Sequence, residues 1–373
     1  MKKNRAIAFA LAAVMAVMAM SLAACGGQGN QQSGQSGDSF EIALVTDLGT
    51  IDDKSFNQGS WEGVEQYAKE NNISHKYYQP AEQSDDAYLA TIDLAVRGGA
   101  KIVVTPGFLF EVPIFHAQER YPEVSFILVD GNPHNEDYSV FRTDPNAVGV
   151  TYAEEEAGYL AGYAAVAEGM RNLGFMGGMA VPAVIRFGYG YIQGAEAAAQ
   201  DLGLGDGSIQ MNYFYTGGFE ATPEVQAMAA SWYNSGMDVI FGCGGAVGNS
   251  VMIAAEQAGK KVIGVDVDQS DESPTVITSA MKGLRKSVYD CITSFYAGEF
   301  PGGQGLVFHA KNDGIGLPME TSRFDNFSQS DYDAVYARLH DELVTLVRDE
   351  NNGNPVAITD IPVKSVTVTS LNS

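Results

Sequence analysis

The sequence predicts an α/β protein that is built from two Rossmann-like lobes with parallel sheets. Short apolar runs alternate with helical patterns, and this alternation is typical of βαβ units. It occurs twice, once from Phe40 to Gly131 and again from Asn172 to Gln269. The chain has 373 residues, which is more than a single hydrophobic core usually serves, so two lobes are expected.

The first set of elements carries candidate site residues at the ends of its strands. We expect strands at Glu41–Asp47, Ser74–Gln79, Lys101–Gly107 and Val124–Gly131, and helices at Gly59–Asn71, Ser84–Arg97 and Pro113–Arg120. Three of these strands end in Asp47, in Gly107 followed by Phe108, and in Asp130. Ligands of open α/β sheets bind outside the carboxyl ends of the strands, so these residues are candidates for a site.

The second set follows an Ala-rich helix, Tyr152–Ala167, whose Glu154, Glu155 and Glu156 are predicted to face water. We expect strands at Asn172–Gly177, Ile209–Tyr215, Met237–Gly245 and Lys260–Gln269, and helices at Phe187–Asp201, Glu224–Ser235 and Gly248–Gly259. The run DVDQSDE, which contains Asp266 and Asp268, is either a solvated acidic turn or a pair of carboxylates that face a polar ligand.

The last quarter of the chain is less regular. A strand, Lys282 and a helix are expected between Val276 and Gly298, followed by a strand-like segment at Leu306–Ala310. Ser328–Asn352 has the pattern of a charged amphipathic helix or helix pair. The alternating residues Val363–Ser370 favour an additional edge strand.

Phe56 is the unusual residue of the stretch Thr46–Gln66, in which a strand passes through a polar turn into a helix. An aromatic at a helix start either packs on the next turn as a hydrophobic staple or offers a flat surface to a flat ligand. Taken alone, the local pattern favours the staple.

The first 39 residues have the pattern of an export signal and a tether. Lys2, Lys3 and Arg5 precede the apolar run Ala6–Met20, which is short for a membrane span. The sequence from Leu22 to Cys25 resembles a bacterial lipoprotein box, which implies cleavage of a 1–24 signal peptide and lipid on Cys25; an ordinary signal peptide is the alternative. Residues 25–39 are rich in Gly, Gln and Ser and are expected to form a flexible tether.

Charge and motif content exclude several classes of function. The formal net charge of −24 disfavours a nucleic-acid partner. No nucleophile elbow, zinc-protease motif or P-loop occurs, and the GCGGAVG run from Gly242 does not have the spacing of a dinucleotide loop. We therefore expect no enzymatic activity, cofactor or metal. Cys243 and Cys291 lie in apolar elements and are expected to be buried thiols.

Several motifs together resemble the basic membrane protein family of ABC-transporter substrate-binding lipoproteins, which is best known for binding purine nucleosides. The matching stretches are DLGTIDDKSFNQGSWEG, VVTPGF, YPEVSFILVDG, EEEAGYLAGYAA, MGGMAVPAVIRFGYGYIQGA, GMDVIFGCGGAVGNSVMIAAEQAG, VIGVDVDQ and ITSAMKG. The resemblance implies a type I periplasmic-binding-protein fold with a hinge and a central cleft. It also implies an N-terminal lobe of residues 40–148 plus about 282–308, and a C-terminal lobe of 149–281 plus about 309–373.

The resemblance further implies how a nucleoside would be bound. Phe56 matches the family's first stacking phenylalanine, and Phe219 is the expected second one, although GGF replaces the more usual GSF; Phe187 is the substitute. Asp130 is expected to bind the base. The residues expected to serve the sugar, or to let the backbone approach it, are Asp47, Asn57, Asp266 or Asp268, Lys282 and Gly245.

The resulting hypothesis is a monomeric, lipid-anchored receptor on the extracytoplasmic side of the cell membrane. It would deliver adenosine, guanosine or inosine to an ABC permease, with lipid as its sole contact with the membrane. Two alternatives remain from the sequence. One is a receptor for another small polar solute, such as a sugar or an autoinducer-like molecule, and the other is a nucleoside hydrolase that uses the Asp cluster.

Overall fold

The computed structural model of the chain describes residues 40–351 and 353–372. The expected signal peptide, the tether and Cys25 lie outside the described residues. Within the described part of the chain, no helix is both long and apolar enough to cross a membrane.

The described residues form an α/β structure in which most strands are short and buried. In chain order the strands are β1 (Ile42–Val45), β2 (His75–Tyr78), β3 (Ile102–Pro106), β4 (Ser125–Val129), β5 (Ala147–Tyr152), β6 (Asn172–Gly177), β7 (Ile209–Tyr215), β8 (Val239–Cys243), β9 (Lys261–Asp266), β10 (Val276–Lys282), β11 (Gln304–Phe308), β12 (Ile315–Gly316), β13 (Glu350–Asn351), β14 (Asn354–Pro355) and β15 (Val366–Ser370). The helices are α1 (Phe56–Asn71), α2 (Asp85–Arg97), α3 (Glu111–Arg120), α4 (Glu154–Ala167), α5 (Pro182–Asp201), α6 (Pro223–Asn234), α7 (Val247–Ala258), α8 (Leu284–Ala297) and α9 (Gln329–His340).

The strands of the described residues form two large sheets and one small two-stranded sheet. The first sheet has the order β11-β5-β4-β3-β1-β2, and all of its pairs are parallel. The second has the order β12-β10-β9-β8-β6-β7-β15, and only the short β12 is antiparallel. We call each large sheet, together with the helices packed on it, a lobe. The predicted fold class, two parallel-sheet α/β lobes, is confirmed.

The chain passes between the lobes three times. It leaves the first sheet after Tyr152, returns after Lys282 and leaves again after Phe308. The carboxyl ends of β1, β3 and β4 in the first lobe, and of β6, β8, β9 and β10 in the second, therefore belong to the region where the lobes meet. This arrangement brings the residues that follow these strands into one cleft.

Local sequence accounts for where key elements begin. The Asp53 carboxylate accepts hydrogen bonds from the backbone N–H groups of Ser55, Asn57 and Gln58, at 2.9, 2.9 and 3.1 Å, and so caps the first turn of α1. Helix α5 begins with Pro182, whose missing N–H costs nothing in a first turn.

Helices α4 and α5 pack unusually closely, because glycines stand where they cross. A Cβ at Gly158 would lie 2.1 Å from the carbonyl oxygen of Phe187, and one at Gly190 would lie 2.0 Å from that of Glu155. Only glycine allows this approach. The contact brings the start of α5 next to the start of α4 and, as described below, to the cleft.

Three predictions of secondary structure were incomplete or wrong. Tyr152, which was expected to begin a helix, is the last residue of the strand β5, because the run AVGVTY pairs with strands on both sides. Helix α5 starts at Pro182 and not at Phe187. Of the helix or helix pair expected between Ser328 and Asn352, the described residues form the helix alone, and this helix, α9, ends at His340.

Two other predictions are confirmed. The tail Val366–Ser370 is the edge strand β15, which pairs in parallel with β7. Cys243 and Cys291 are buried free thiols, and burial raises the pKa of each.

Candidate functional site

Asp130 in the first lobe and Asp266 in the second lie on opposite sides of the cleft. They occupy equivalent positions at the carboxyl ends of β4 and β9, and both have left-handed backbone conformations, with φ of 62° and 68°. Such a conformation is uncommon for residues other than glycine and often occurs where function requires it. The left-handed turn directs each carboxylate toward the same ammonium group, that of Lys282.

Lys282, the last residue of β10, is the centre of the cleft. Its Nζ donates to Asp130 Oδ2 and lies 3.3 Å from Glu154 Oε1 and 3.9 Å from Asp266 Oδ1. Its side chain is only 2% exposed, and that of Glu154 only 1%. A buried ammonium is therefore surrounded by three carboxylates, of which Glu154 and Asp266 are buried and Asp130 is largely buried, with its side chain 10% exposed.

The charges in this cluster do not balance. Burial by itself would lower the pKa of Lys282, but the neighbouring carboxylates more than offset it, so the pKa is raised and the ammonium stays charged. Burial raises the pKa of the Asp130, Glu154 and Asp266 carboxyls, and Lys282 opposes this in each case. The three carboxylates outnumber the two nearby cations, which are Lys282 and Arg186, whose Nη1 lies 3.6 Å from Glu154 Oε2. The cleft therefore has an excess of hydrogen-bond acceptors.

Aromatic rings surround the same ammonium. The ring centroids of Phe56, Tyr152 and Phe187 lie 4.9, 5.4 and 5.4 Å from Lys282 Nζ, within range of cation–π attraction. Phe187 is fully buried and packs edge-on against Phe241, with ring centroids 5.9 Å apart. Phe56 is only partly buried, so one part of its surface remains available.

Asp47 and Asn57 form the wall of the cleft in the first lobe. Asp47 Oδ1 accepts hydrogen bonds from Gly49 N at 2.7 Å and from Asn57 Nδ2 at 3.0 Å. Burial raises the pKa of the Asp47 carboxyl, and the Asn57 bond opposes this. Asn57 Oδ1 is buried without a hydrogen-bond partner, and so is Asp130 Oδ1. Both atoms are acceptors that a ligand could satisfy.

Phe219 and Gly245 lie together in the second lobe. The backbone N–H of Ala246 donates to the Phe219 carbonyl at 2.8 Å, and a Cβ at Gly178 would lie 2.5 Å from Phe219 Cδ1. Gly245 has a left-handed φ of 51°, and a Cβ there would lie 3.3 Å from that of Phe219.

Asp268 does not join the cluster. It is exposed, and its two oxygens accept hydrogen bonds from Ser270 N at 3.0 Å and from Thr321 Oγ1 at 2.6 Å. Of the two alternatives in the DVDQ run, the structure brings Asp266 to Lys282 and leaves Asp268 in a surface turn.

Three further contacts join the lobes on one side of the cleft. Ser55 Oγ donates to Asp266 Oδ2 at 2.5 Å, and Gln269 Nε2 donates to the Lys54 carbonyl at 2.7 Å. Lys54 Nζ also lies 3.4 Å from Glu272 Oε1. The two lobes are thus in direct contact on this side of the cleft.

The prediction that Glu154–Glu156 face water was wrong. Glu154 and Glu155 are buried, and Glu156 is partly buried. Glu154 contacts Lys282 directly, and Arg186 Nη1 lies 3.6 Å from Glu154 Oε2. The burial of this helix could have been predicted from the sequence, because the helix is apolar on all sides beyond its first turn, which is typical of a buried helix. Arg186 carried no such signal.

No group of three or more potential ligand residues in the described ranges is arranged to hold a metal ion. The site itself combines buried hydrogen-bond acceptors, the Lys282 ammonium and the rings of Phe56, Tyr152 and Phe187.

The chain is similar in sequence to several known proteins. The sequence model of the Bmp family, described as PnrA-like ABC transporter substrate-binding proteins, matches residues 40–343. The ABC transporter nucleoside-binding protein BmpA of Lactococcus lactis is 32% identical over 303 residues, which cover 75% of this chain and 82% of that protein. The CD4+ T-cell-stimulating antigen of Listeria monocytogenes is 30% identical over 313 residues, with coverage of 78% and 82%.

Solved structures show the same fold. A solute-binding protein of an ABC transporter system from Aeropyrum pernix has a TM-score of 0.67 at 24% identity and covers 82% of this chain and 87% of that one. One from Conexibacter woesei has a TM-score of 0.66 at 23% identity, with coverage of 83% and 99%. The chain therefore belongs to the Bmp family, whose members are substrate-binding proteins of ABC transporters and not enzymes.

Proposed function

We propose that the protein is the purine nucleoside receptor of an ABC importer. The observation that carries the proposal is the presence of two buried acceptors without partners, Asp130 Oδ1 and Asn57 Oδ1, and of the partly exposed Phe56 ring, which lies 4.9 Å from the Lys282 Nζ that binds Asp130. A ligand that satisfies both features has several hydrogen-bond donors and a flat apolar face. A nucleoside has this combination, because its ribose supplies two vicinal hydroxyls and its base supplies the face.

Each group of the ligand has a counterpart in the cleft. Phe56 and Phe219 would stack on the two faces of the base, and one such stack contributes about 1–3 kcal/mol. Asp130 would accept from the base. Asp47, Asn57, Asp266 and Lys282 would bind the ribose, because ionised carboxylates only accept and an ammonium only donates, which orients the hydroxyls. Gly245 would let the backbone approach.

The excess of carboxylates favours nucleosides over nucleotides. Asp130, Glu154 and Asp266 already share a single ammonium. A phosphate group would add negative charge to a buried site that is already acidic, at a high cost in free energy. A neutral ligand that donates hydrogen bonds avoids this cost.

Attachment to the membrane is the second part of the proposal. The lipoprotein-like segment ending at Cys25 would carry the lipid, and residues 25–39 would let a monomeric binding domain reach an ABC permease on the extracytoplasmic face. Replacement of Cys25 by Ser is expected to move the protein from the membrane fraction to the soluble fraction. Retention of Cys25→Ser in the membrane fraction after removal of residues 1–24 would contradict a lipid anchor on this residue.

Titration calorimetry with adenosine, guanosine, inosine and uridine tests the ligand. We expect binding of at least one purine nucleoside, with weaker binding of uridine because its smaller base offers less stacking surface. Asp268→Asn is the matched control, because this exposed residue lies next to the site and outside the cluster. Silence with all four nucleosides, or tighter binding of free ribose, would contradict the assignment.

A further inference from the structure

The described residues of the segment 344–356, which we call the C-terminal strap, lie along helix α5. Three side chains on one face of this helix bind it: Arg186, Tyr189 and Gln193. Gln193 makes two hydrogen bonds to the backbone of Val347, at 2.8 and 2.9 Å, and the Tyr189 hydroxyl donates to the Val356 carbonyl at 2.8 Å. The match to the family ends at residue 343, so the strap lies beyond it.

One carboxylate of the strap, that of Asp349, binds Arg186. Asp349 accepts from Arg186 Nε at 2.6 Å and from Nη2 at 3.3 Å, and the two side chains are only 10% and 16% exposed. A two-point contact of this kind fixes the plane of the guanidinium as well as its position. The third nitrogen, Nη1, then faces Glu154 Oε2 at 3.6 Å.

Glu154 connects this pair to the ligand cluster. Its Oε1 lies 3.3 Å from Lys282 Nζ, and its Oε2 has no hydrogen-bond partner although it is buried. The order of groups is therefore Asp349, Arg186, Glu154 and Lys282, with alternating charge. If Arg186 lost Asp349, Glu154 would be its strongest remaining partner, and the two would move together away from Lys282.

We propose that Asp349 is a positioning residue for the ligand site. It does not touch the ligand; it holds Arg186 so that Glu154 stays on Lys282 and Lys282 stays between Asp130 and Asp266. The strap thereby makes nucleoside affinity depend on a segment outside the family-matched region. This inference rests on the proposed function for its ligand.

Calorimetry on Asp349→Asn and on Tyr189→Phe tests the role. Both variants remove hydrogen bonding between the strap and the same face of α5, but only the first changes the Arg186 pair. We expect Asp349→Asn to weaken purine nucleoside binding about tenfold, the size of coupling found within one ion-pair network, and Tyr189→Phe to stay within about twofold of the wild type. Equal affinity in both variants would overturn the inference and leave the proposed function intact.

A double-mutant cycle separates positioning from loss of structure. If Asp349 acts through Glu154, then Asp349→Asn should have little further effect on affinity in a Glu154→Gln background. Additive losses would overturn the inference. Arg186→Lys, which keeps the charge and loses the two-point contact, should reproduce the loss if Asp349→Asn does not fold. If the wild type gives no binding signal with any of the four nucleosides, both this inference and the proposed ligand are overturned.

Discussion

The Ser55 hydroxyl of the first lobe donates a hydrogen bond to Asp266 Oδ2 of the second lobe at 2.5 Å. Ser55 immediately precedes helix α1 and the candidate stacking residue Phe56. Asp266 ends strand β9 and contacts Lys282. The bond therefore exists only when the lobes are together, and it joins two candidate ligand-binding segments directly.

Removal of this hydroxyl should favour the open form. A hydrogen bond to a charged group contributes about 1.5–3 kcal/mol, so we expect Ser55→Ala to weaken nucleoside binding by roughly tenfold or more. Calorimetry measures the affinity. The matched control is Thr321→Ala, which removes a hydroxyl bound to Asp268 at 2.6 Å within the second lobe. Equal losses in both variants would show that the Ser55 bond has no special role in closure.

Phe56→Leu separates a nucleoside from a sugar-like ligand. Leucine retains most of the apolar volume but offers no flat face, so loss of one stacked base should cost about 1–3 kcal/mol, or roughly fivefold to more than a hundredfold in affinity. Phe141, which is 62% exposed, supplies the control Phe141→Leu. If Phe56→Leu binds adenosine or guanosine as tightly as the wild type, the ring acts as a staple of helix α1 and does not stack on the ligand.

The fold could be predicted from the sequence because the apolar residues follow clear strand and helix patterns in alternation. Several details of the site, in contrast, depend on contacts between distant parts of the chain. Asp266 and Asp268 are two residues apart, so an extended strand would place both on one face. The left-handed backbone at Asp266, with φ of 68°, ends the strand and turns Asp268 to the surface. No local pattern indicates such a turn at an Asp.

Only some of the residues around Lys282 could be predicted from the sequence, for a similar reason. Asp130, Asp266 and Lys282 end strands, and strand ends are detectable. Glu154 was assigned to water because carboxylates rarely lie in a core. Its burial requires Lys282, far along the chain, and the close packing of α4 on α5. The Arg186–Asp349 pair, 163 residues apart in sequence, is likewise a product of the tertiary structure.

Glu155 should make stability depend on pH. Burial raises the pKa of its carboxyl to about 7 from an ordinary value of 4.5, although Arg348, 3.1 Å away, opposes the shift. Since the folded form binds the proton more tightly than the unfolded chain, the contribution to stability is complete below pH 4.5. It is lost as the pH rises through about 7.

Glu155→Gln removes this titration. We expect its free energy of unfolding, relative to that of the wild type, to rise between pH 4.5 and about pH 7, by at most about 3 kcal/mol. Urea unfolding at a series of pH values gives the difference. Glu342→Gln, at an exposed residue, is the control and should show no such rise. A flat difference for Glu155→Gln would contradict the burial of an ionisable carboxyl at this position.

Lys282→Met should be the most damaging substitution in the cleft. It leaves Asp130, Glu154 and Asp266 buried without their ammonium, and removal of one partner from a buried ion pair costs about 3–5 kcal/mol. Because burial already raises the pKa of these carboxyls, the variant should regain stability at acidic pH, where they bind protons. It should lose stability as the pH rises above the ordinary carboxyl range.

Urea unfolding of Lys282→Met at pH 5 and pH 8 measures this trend, and Lys286→Met, at an exposed lysine, is the control. Addition of Glu154→Gln to Lys282→Met should restore part of the stability at pH 8, because one uncompensated charge is removed, but it should not restore nucleoside binding. If Lys282→Met is as stable at pH 8 as at pH 5, the three carboxylates do not depend on Lys282 for their charge. An excess of charged acceptors in the cleft would then no longer favour a neutral ligand with several hydrogen-bond donors.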